Sequence, residues 1–333
     1  MSTRTKRILF AGGGVVALVV VTVVLAARWP VPGRLLDGTR VALDKASYGT
    51  NHLSPKRPFD RFFRRLPPEW LRKIQWRPGA GEKFTADHPI FMFWLNFSNP
   101  VGTSQPIGYA IADENGFEAP MVFTGPYTSY SPRGFGKNRV GLVRGSGIFP
   151  HRSKKFFLRL YQQDGEGKRF RVAEFSIRNE GFENAPGWQP QDLPVAKQTN
   201  GLVFSMVKAE VGVTPPGTVE APYNLRSGEW SEFRFRVGEQ GRSSAGWTIN
   251  EMIISDATGN RLRVSAEDLS AFNHGFSRLE GDEIVCLHRW GFWSEEPAWK
   301  LNVHFERTGK PGCWIEYLVR PRFLGLRETS MTN

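Results

Sequence analysis

The sequence predicts an all-β protein: two tandem antiparallel immunoglobulin-like β-sandwiches that follow an N-terminal transmembrane helix. Three observations support this prediction. Apolar and polar residues alternate in short runs, turn motifs separate the runs, and the whole pattern occurs twice along the chain. The chain has 333 residues, and at roughly 100 to 200 residues per domain this length accommodates two domains.

The composition excludes several classes of protein. The chain is 40% hydrophobic and 13% aromatic, and it has two cysteines. These values are not those of a disordered tail, a collagen-like fibre, a cysteine-stapled miniprotein or a polytopic membrane protein. The formal net charge is +12, so acidic partners and anionic surfaces are the ones that the charge favours.

The first element is an apolar helix at residues 8–27, which contain no charged residue. Twenty helical residues span the roughly 30 Å hydrocarbon core of a bilayer. The basic head at residues 1–7 precedes the helix, and an apolar run of this length exceeds the roughly 7 to 15 residues of a cleavable signal. We therefore predict an uncleaved signal anchor, although Leu25-Ala-Ala27 also fits a cleavage site. The head is expected in the cytoplasm, residues 28–39 form a juxtamembrane linker, and the bulk is extracytoplasmic, or periplasmic in a bacterium.

Two stretches of the chain resemble each other, which indicates an internal duplication. Residues 111–116 (IADENG) match residues 254–259 (ISDATG), and four further patches keep the same order at offsets of 143 to 145. Among these, Val140 and Gly147 match Val285 and Gly291. We therefore predict a first β-sandwich at residues 40–179 and its duplicate at residues 202–321, with a linker at residues 180–201 and a tail at residues 322–333.

The strands and turns inside the copies follow from residue patterns. Large apolar residues at every second position of residues 91–97 (Phe, Phe, Leu, Phe) and 233–237 (Phe, Phe, Val) are typical of half-buried strands. Asp-x-x-Gly motifs at residues 113–116 and 256–259 predict turns, because aspartate bonds its own turn and glycine accepts a positive φ.

The first copy contains a short basic helical insertion at residues 58–76. Its apolar residues recur at spacings of three and four, as on one face of a helix. Two interpretations stay open: the basic face is only solvated while the aromatic face closes one end of the sandwich, or the basic face binds anionic headgroups or an acidic envelope protein. Candidate binding residues are Arg61, Arg64, Arg65, Arg72 and Lys73. The sequence shows no nucleic-acid-binding module.

A second candidate binding surface surrounds Trp290. Exposed indoles beside carboxylates bind sugars, and Trp290, Glu295 and Glu296 have that composition. The two glutamates also suit the acid and base of a glycosidase, but neighbours on a strand point in opposite directions. They therefore make a poor catalytic pair.

Cys286 and Cys313 are the two cysteines. An exported location permits a disulfide between them. Free thiols are the alternative, because the first copy has no cysteine at the matching positions.

Enzyme motifs are missing from the sequence. It contains no G-x-S-x-G, H-E-x-x-H, C-x-x-C pair or phosphate-binding loop, and we predict no catalytic residue, metal or cofactor. The functional hypothesis is a membrane-anchored, non-catalytic binding or structural protein of the cell envelope. The alternatives are a carbohydrate-binding module and an envelope polysaccharide or peptide hydrolase. The sequence does not specify the oligomeric state.

Overall fold

The computed structural model describes residues 33–55, 83–98, 107–121, 128–130, 139–165, 169–213, 230–239, 242–243, 246–265, 275–288 and 293–324. Within these ranges the regular elements are twenty β-strands. The prediction of an all-β, sandwich-like protein is confirmed for the described part of the chain.

The first half of the structure contains nine strands in two sheets. The strands are β1 (Gly33–Arg34), β2 (Arg40–Leu53), β3 (Lys83–Ser98), β4 (Gly108–Ala112), β5 (Glu118–Pro120), β6 (Thr128–Tyr130), β7 (Arg139–Ser146), β8 (Lys155–Gln163) and β9 (Arg169–Arg178). Sheet A has the order β1-β2-β3-β7-β6 and sheet B the order β5-β4-β8-β9. All their pairings are antiparallel.

The second half contains the other eleven strands. They are β10 (Val195–Thr199), β11 (Leu202–Val213), β12 (Trp230–Glu239), β13 (Arg242–Ser243), β14 (Trp247–Asp256), β15 (Arg261–Ser265), β16 (Gly275–Glu280), β17 (Glu283–His288), β18 (Trp299–Arg307), β19 (Lys310–Val319) and β20 (Arg322–Phe323). Sheet C follows β10-β11-β12-β17-β16, with β13 beside β12 and β20 parallel to β11, and sheet D follows β15-β14-β18-β19.

The two halves have the same strand order. Sheets A and C each begin with a short edge strand, β1 or β10, which is followed by the long hairpin β2-β3 or β11-β12. In sheets B and D, the order β5-β4-β8-β9 corresponds to β15-β14-β18-β19. Local details agree as well. A register shift follows Leu43 in β2 and Met206 in β11, and Gly49 and Gly212 both have a positive φ. Both pairs of matching residues are 163 positions apart along the chain.

Each pair of sheets encloses aromatic side chains. In β3, Phe91 and Phe93 are at most 1% exposed, and their alternation places both on the face toward sheet B. The rings of Phe91 and Phe156 meet edge to face across the two sheets, with centroids 4.8 Å apart. Phe235 and Phe305 also meet edge to face, between sheets C and D, with centroids 5.5 Å apart. Edge-to-face geometry favours such aromatic pairs.

Three details of the sequence interpretation are wrong. The predicted juxtamembrane linker at residues 28–39 and the predicted tail at residues 322–333 contain the paired strands β1 and β20. Residues 180–201 are not wholly a linker, because β10 pairs with β11 along its full length. The offset of 145 between Val140 and Val285 also fails. Arg144 pairs with Phe93, and Cys286 pairs with the matching Phe233, so β7 and β17 correspond at an offset of 142.

Two predicted helices lie outside the described residues: the anchor at residues 8–27 and the insertion at residues 58–76. Within the described residues, no helix has the length and apolar character needed to cross a membrane.

Candidate functional site: the junction between the halves

The junction is built on two equivalent turns, each closed by a buried aspartate. Asp113 follows β4, and its Oδ1 accepts the backbone N–H of Phe117 at 2.8 Å. Asp256 ends β14, and its Oδ1 accepts the backbone N–H of Asn260 at 3.0 Å. Asp113 is 0% and Asp256 is 3% exposed. Turn formation by these aspartates therefore agrees with the sequence interpretation.

The loops before β8 and β18 each lie on the turn of the other half. In the first loop, the backbone N–H of Phe149 donates to Asn260 Oδ1 at 3.2 Å, and the backbone carbonyl of Phe149 accepts a hydrogen bond from Asn260 Nδ2 at 2.9 Å. In the second loop, Ser294 donates its N–H and hydroxyl to Asp113 Oδ2 at 3.3 and 3.1 Å. Such a reciprocal arrangement is that of a two-fold interface between identical subunits, here formed within one chain.

Two glutamates of the second loop bind the first half. Arg152 donates Nε–H to Glu296 Oε2 at 2.9 Å and Nη1–H to the carbonyl of Ala185 at 2.7 Å. Ser153 donates its hydroxyl to Glu295 Oε2. Glu296 is 1% exposed, and a bond between a buried charge and a guanidinium is among the stronger polar contacts in proteins.

Asn179 holds the first loop in this conformation. Its Nδ2 donates to the carbonyls of Pro150 at 2.9 Å and Ser153 at 2.8 Å, and its Oδ1 accepts the N–H of Gly181 at 3.0 Å. Asn179 is 5% exposed. The loop that carries Arg152 and Ser153 is therefore held by bonds within the first half.

Burial raises the pKa of three carboxyl groups in the junction. For Glu296, burial and the nearby Asp256 raise the pKa to about 7, against the opposing Arg152 guanidinium. Burial also raises the pKa of Glu295 and of Asp113. The pKa of His151 is lowered, mainly by burial.

The structure changes the interpretation of Glu295 and Glu296. They lie in a turn and not on a strand, and both side chains contact the first half. The other predicted binding residues lie outside the described residues, namely Arg61, Arg64, Arg65, Arg72, Lys73 and Trp290.

Sequence reasoning missed Arg152, Ser153 and Asn260, which carry most of the bonds across the junction. None of them belongs to a motif. One sequence pattern could have pointed to the junction: Gly-x-aromatic occurs at residues 147–149 and again at residues 291–293. It marks the two loops, each of which contacts the aspartate turn of the other half.

Two histidines of the second half lie on strands away from the junction. His288 is buried on β17, and His304 stacks on Trp314 with centroids 4.9 Å apart. Among the described residues, no group of three or more His, Cys, Asp or Glu has the arrangement of a metal site.

The disulfide that the sequence permits is not formed in the structure. Cys286 on β17 and Cys313 on β19 are free thiols. They lie in the facing sheets C and D. Burial raises the pKa of Cys286 to about 12, so this thiol is unreactive in the folded protein.

No known protein family model matches the chain, and no curated protein is similar to it.

Proposed function

We propose that the protein is a non-catalytic binding or structural protein of the cell envelope, held at the membrane by residues 8–27. We further propose that both halves are immunoglobulin-like sandwiches and that they act as one rigid body. The membrane part rests on the uncharged run of residues 8–27.

One observation carries the non-catalytic assignment. The two glutamates that were considered for catalysis, Glu295 and Glu296, are bonded to Ser153 and Arg152 of the first half. A general acid or base has to reach a substrate proton, whereas these carboxylates connect two parts of the fold. The acidic residue Asp282 lies in another part of the second half and pairs with Arg236 at 3.7 Å.

Membrane attachment is tested by fractionating cells that express the full chain. We expect the intact protein in the membrane fraction after alkaline washing, and digestion by protease added from the extracytoplasmic side. A variant lacking residues 8–27 is the control and should leave the membrane fraction. Recovery of the full chain in the soluble fraction would contradict the proposal.

The binding role of the basic residues is tested separately. Replacing Arg61, Arg64, Arg65, Arg72 and Lys73 with glutamine should lower retention on anionic vesicles, because each basic residue near such a surface contributes about 1 kcal/mol. Neutral vesicles are the control. Equal retention of both proteins would remove these residues from the proposed surface.

A carbohydrate-binding function is the second candidate, and it is favoured by Trp314. This side chain is 48% exposed on edge strand β19 and stacks on His304 with the rings inclined by 24°. An exposed and oriented indole is suited to stacking on a sugar ring. Trp314→Ala should abolish retention on insoluble envelope polysaccharide under this function, and it should change nothing under the first.

A further inference from the structure

The outer face of sheet D carries an exposed indole that neighbouring side chains hold in place. Trp314 of β19 and His304 of β18 are direct partners in the sheet, and their rings stack with centroids 4.9 Å apart. A Cβ at Gly312 would collide with His304 Nε2, so the imidazole also lies directly against the backbone of Gly312. Trp314 is nevertheless 48% exposed. A side chain that is already fixed loses less entropy when a ligand contacts it.

A row of polar side chains continues from Trp314 along the same face of the sheet. Alternation along β19 places Glu316 on the face of Trp314, since the intervening Ile315 is buried. Asn302 of β18 lies opposite Glu316 in the sheet. Lys300, two residues before Asn302, has its Nζ 3.5 Å from Glu316 Oε2. Amide, carboxylate and ammonium groups all form hydrogen bonds with hydroxyl groups.

A second indole lies at the far end of this row. Lys300 is opposite Leu318 in the sheet, and its Nζ is 4.9 Å from the ring centroid of Trp188, a half-buried residue between β9 and β10. Three residues further along, the N–H of Gln191 donates to the carbonyl of Leu318 at 2.7 Å, which fixes this segment against β19. Because four strand residues span about 13 Å, Leu318 and Trp314 are separated by more than the length of one sugar ring.

The two ionised groups of this row balance each other. Lys300 and Glu316 have opposite charges, and their side chains are 32% and 55% exposed, so both can contact a ligand. The row therefore has no net formal charge, although the whole chain has a charge of +12. A charged ligand would compete with this ion pair, whereas hydroxyl groups can bond to both of its members. We call the row the indole strip, and its members are Trp188, Lys300, Asn302, Trp314 and Glu316.

We propose that the indole strip binds an extended, uncharged oligosaccharide, with one sugar ring stacked on Trp314 and another on Trp188. This assignment rests on the carbohydrate-binding function named above, and it adds a second indole, the polar groups and the class of sugar. The rings between the two indoles bond to Asn302, Glu316 and Lys300 through their hydroxyl groups. A β-1,4-linked chain of hexoses has the required form, because it is straight and flat. Such a chain binds more tightly than a short one, since its second contact becomes intramolecular once the first has formed.

The test is isothermal titration calorimetry of the full chain in a detergent without sugar groups. Cellotetraose is the probe, and the comparison ligands are cellobiose and a hyaluronan tetrasaccharide, which carries carboxylates. We expect cellotetraose to bind at least about tenfold more tightly than either of them. Trp314→Ala and Trp188→Ala should each weaken cellotetraose binding at least about tenfold, because tryptophans often dominate the binding energy of a contact surface. Phe182→Ala, which changes a 42% exposed aromatic residue outside the strip, is the control and should leave the affinity unchanged.

Two further variants keep the test valid if Trp188→Ala fails to fold. Trp188→Phe keeps a flat ring and should bind cellotetraose within about threefold of the wild type, whereas Trp188→Leu keeps only apolar volume and should bind at least about tenfold more weakly. Loss of binding in Trp314→Ala with wild-type affinity in all Trp188 variants would overturn the strip and leave the carbohydrate-binding function in place.

Two other results would also overturn the proposal. Tighter binding of the hyaluronan tetrasaccharide than of cellotetraose would assign the surface to an acidic sugar. No binding of any of the three sugars by the wild type would contradict both the strip and the carbohydrate-binding function on which it rests.

Discussion

Individual junction residues show how the two halves are held together. Asn260 bonds both backbone groups of Phe149 and donates to Asp256 Oδ2 at 2.7 Å. Glu296 is bonded to Arg152 and is close enough to Asp256 to feel its charge. Buried polar groups of this kind are costly when a partner is lost, so single substitutions here should have measurable effects.

The first prediction concerns the pH dependence of stability through Glu296. Its pKa is raised to about 7 from an ordinary value of 4.5, so its stabilising contribution is complete below about pH 4.5 and is lost as the pH rises through 7. Glu296→Gln removes this titration. We expect the stability of the wild type to fall relative to the variant by about 1 to 3 kcal/mol between pH 5 and pH 8, measured by urea unfolding at each pH.

The difference between the two proteins isolates Glu296 from the other junction groups. Burial lowers the pKa of His151, and that group loses its contribution as the pH falls below 6.5, the opposite direction. Because His151 is present in both proteins, its effect cancels in the comparison. A stability difference that stays constant from pH 5 to pH 8 would contradict the prediction.

The second prediction compares two asparagines that both bond across the junction. Asn260→Ala removes bonds to Phe149 in a site that is 3% exposed and should destabilise the protein by about 2 to 3 kcal/mol. Asn115 donates to Ser294 Oγ at 2.7 Å in an exposed position, so Asn115→Ala should cost less than about 1 kcal/mol. Chemical denaturation of both variants measures the difference, and equal losses would argue against a buried, structural junction.

At the scale of elements, the matched turns and hairpins argue that the halves share one architecture. The turn after β4 and the turn after β14 have the same backbone bonds, from Gly116 to Asp113 and from Gly259 to Asp256. Both glycines have a positive φ, of 90° and 99°. The offset between matching residues of the two halves changes from 163 at β2 and β11 to 142 at β7 and β17, because insertions fall in loops while the strand registers are kept.

The third prediction uses these two glycines. A Cβ at either position meets no atom within 4 Å, so the cost of alanine comes from the left-handed backbone alone, about 1 to 2 kcal/mol. Gly116→Ala and Gly259→Ala should therefore lower stability by similar amounts. Gly165 also has open space around it but no positive φ, and Gly165→Ala should be neutral. Thermal unfolding of the three variants tests this, and a neutral Gly116→Ala or Gly259→Ala would contradict it.

The sequence predicted strands more successfully than it predicted the site. The strands β3 and β12 were predictable from their alternating phenylalanines, and the two turns from the motif Asp-x-x-Gly, because such patterns depend only on neighbouring residues. Both assignments agree with the structure. The short strand β10 lacks such a period and was mistaken for linker. Arg152 contacts Glu296 and Asn260 contacts Phe149, and in each pair the two residues are more than 100 positions apart in the sequence. A local sequence pattern does not reveal such pairs.

At the scale of the whole molecule, two similar β units are joined through a reciprocal, buried polar junction. One apolar cluster includes residues of both halves, and the rings of Phe117 and Phe323 lie 4.9 Å apart across them. A body of this kind presents fixed surfaces, as a binding or spacer protein requires. Two weakly linked domains would instead move independently.

Differential scanning calorimetry of the full chain tests this central claim most directly. We expect one transition in which the calorimetric and van't Hoff enthalpies agree, because the two halves unfold together. The double variant Arg152→Ala/Asn260→Ala should separate it into two transitions. Two independent transitions in the wild type, each unchanged in the variant, would contradict the account.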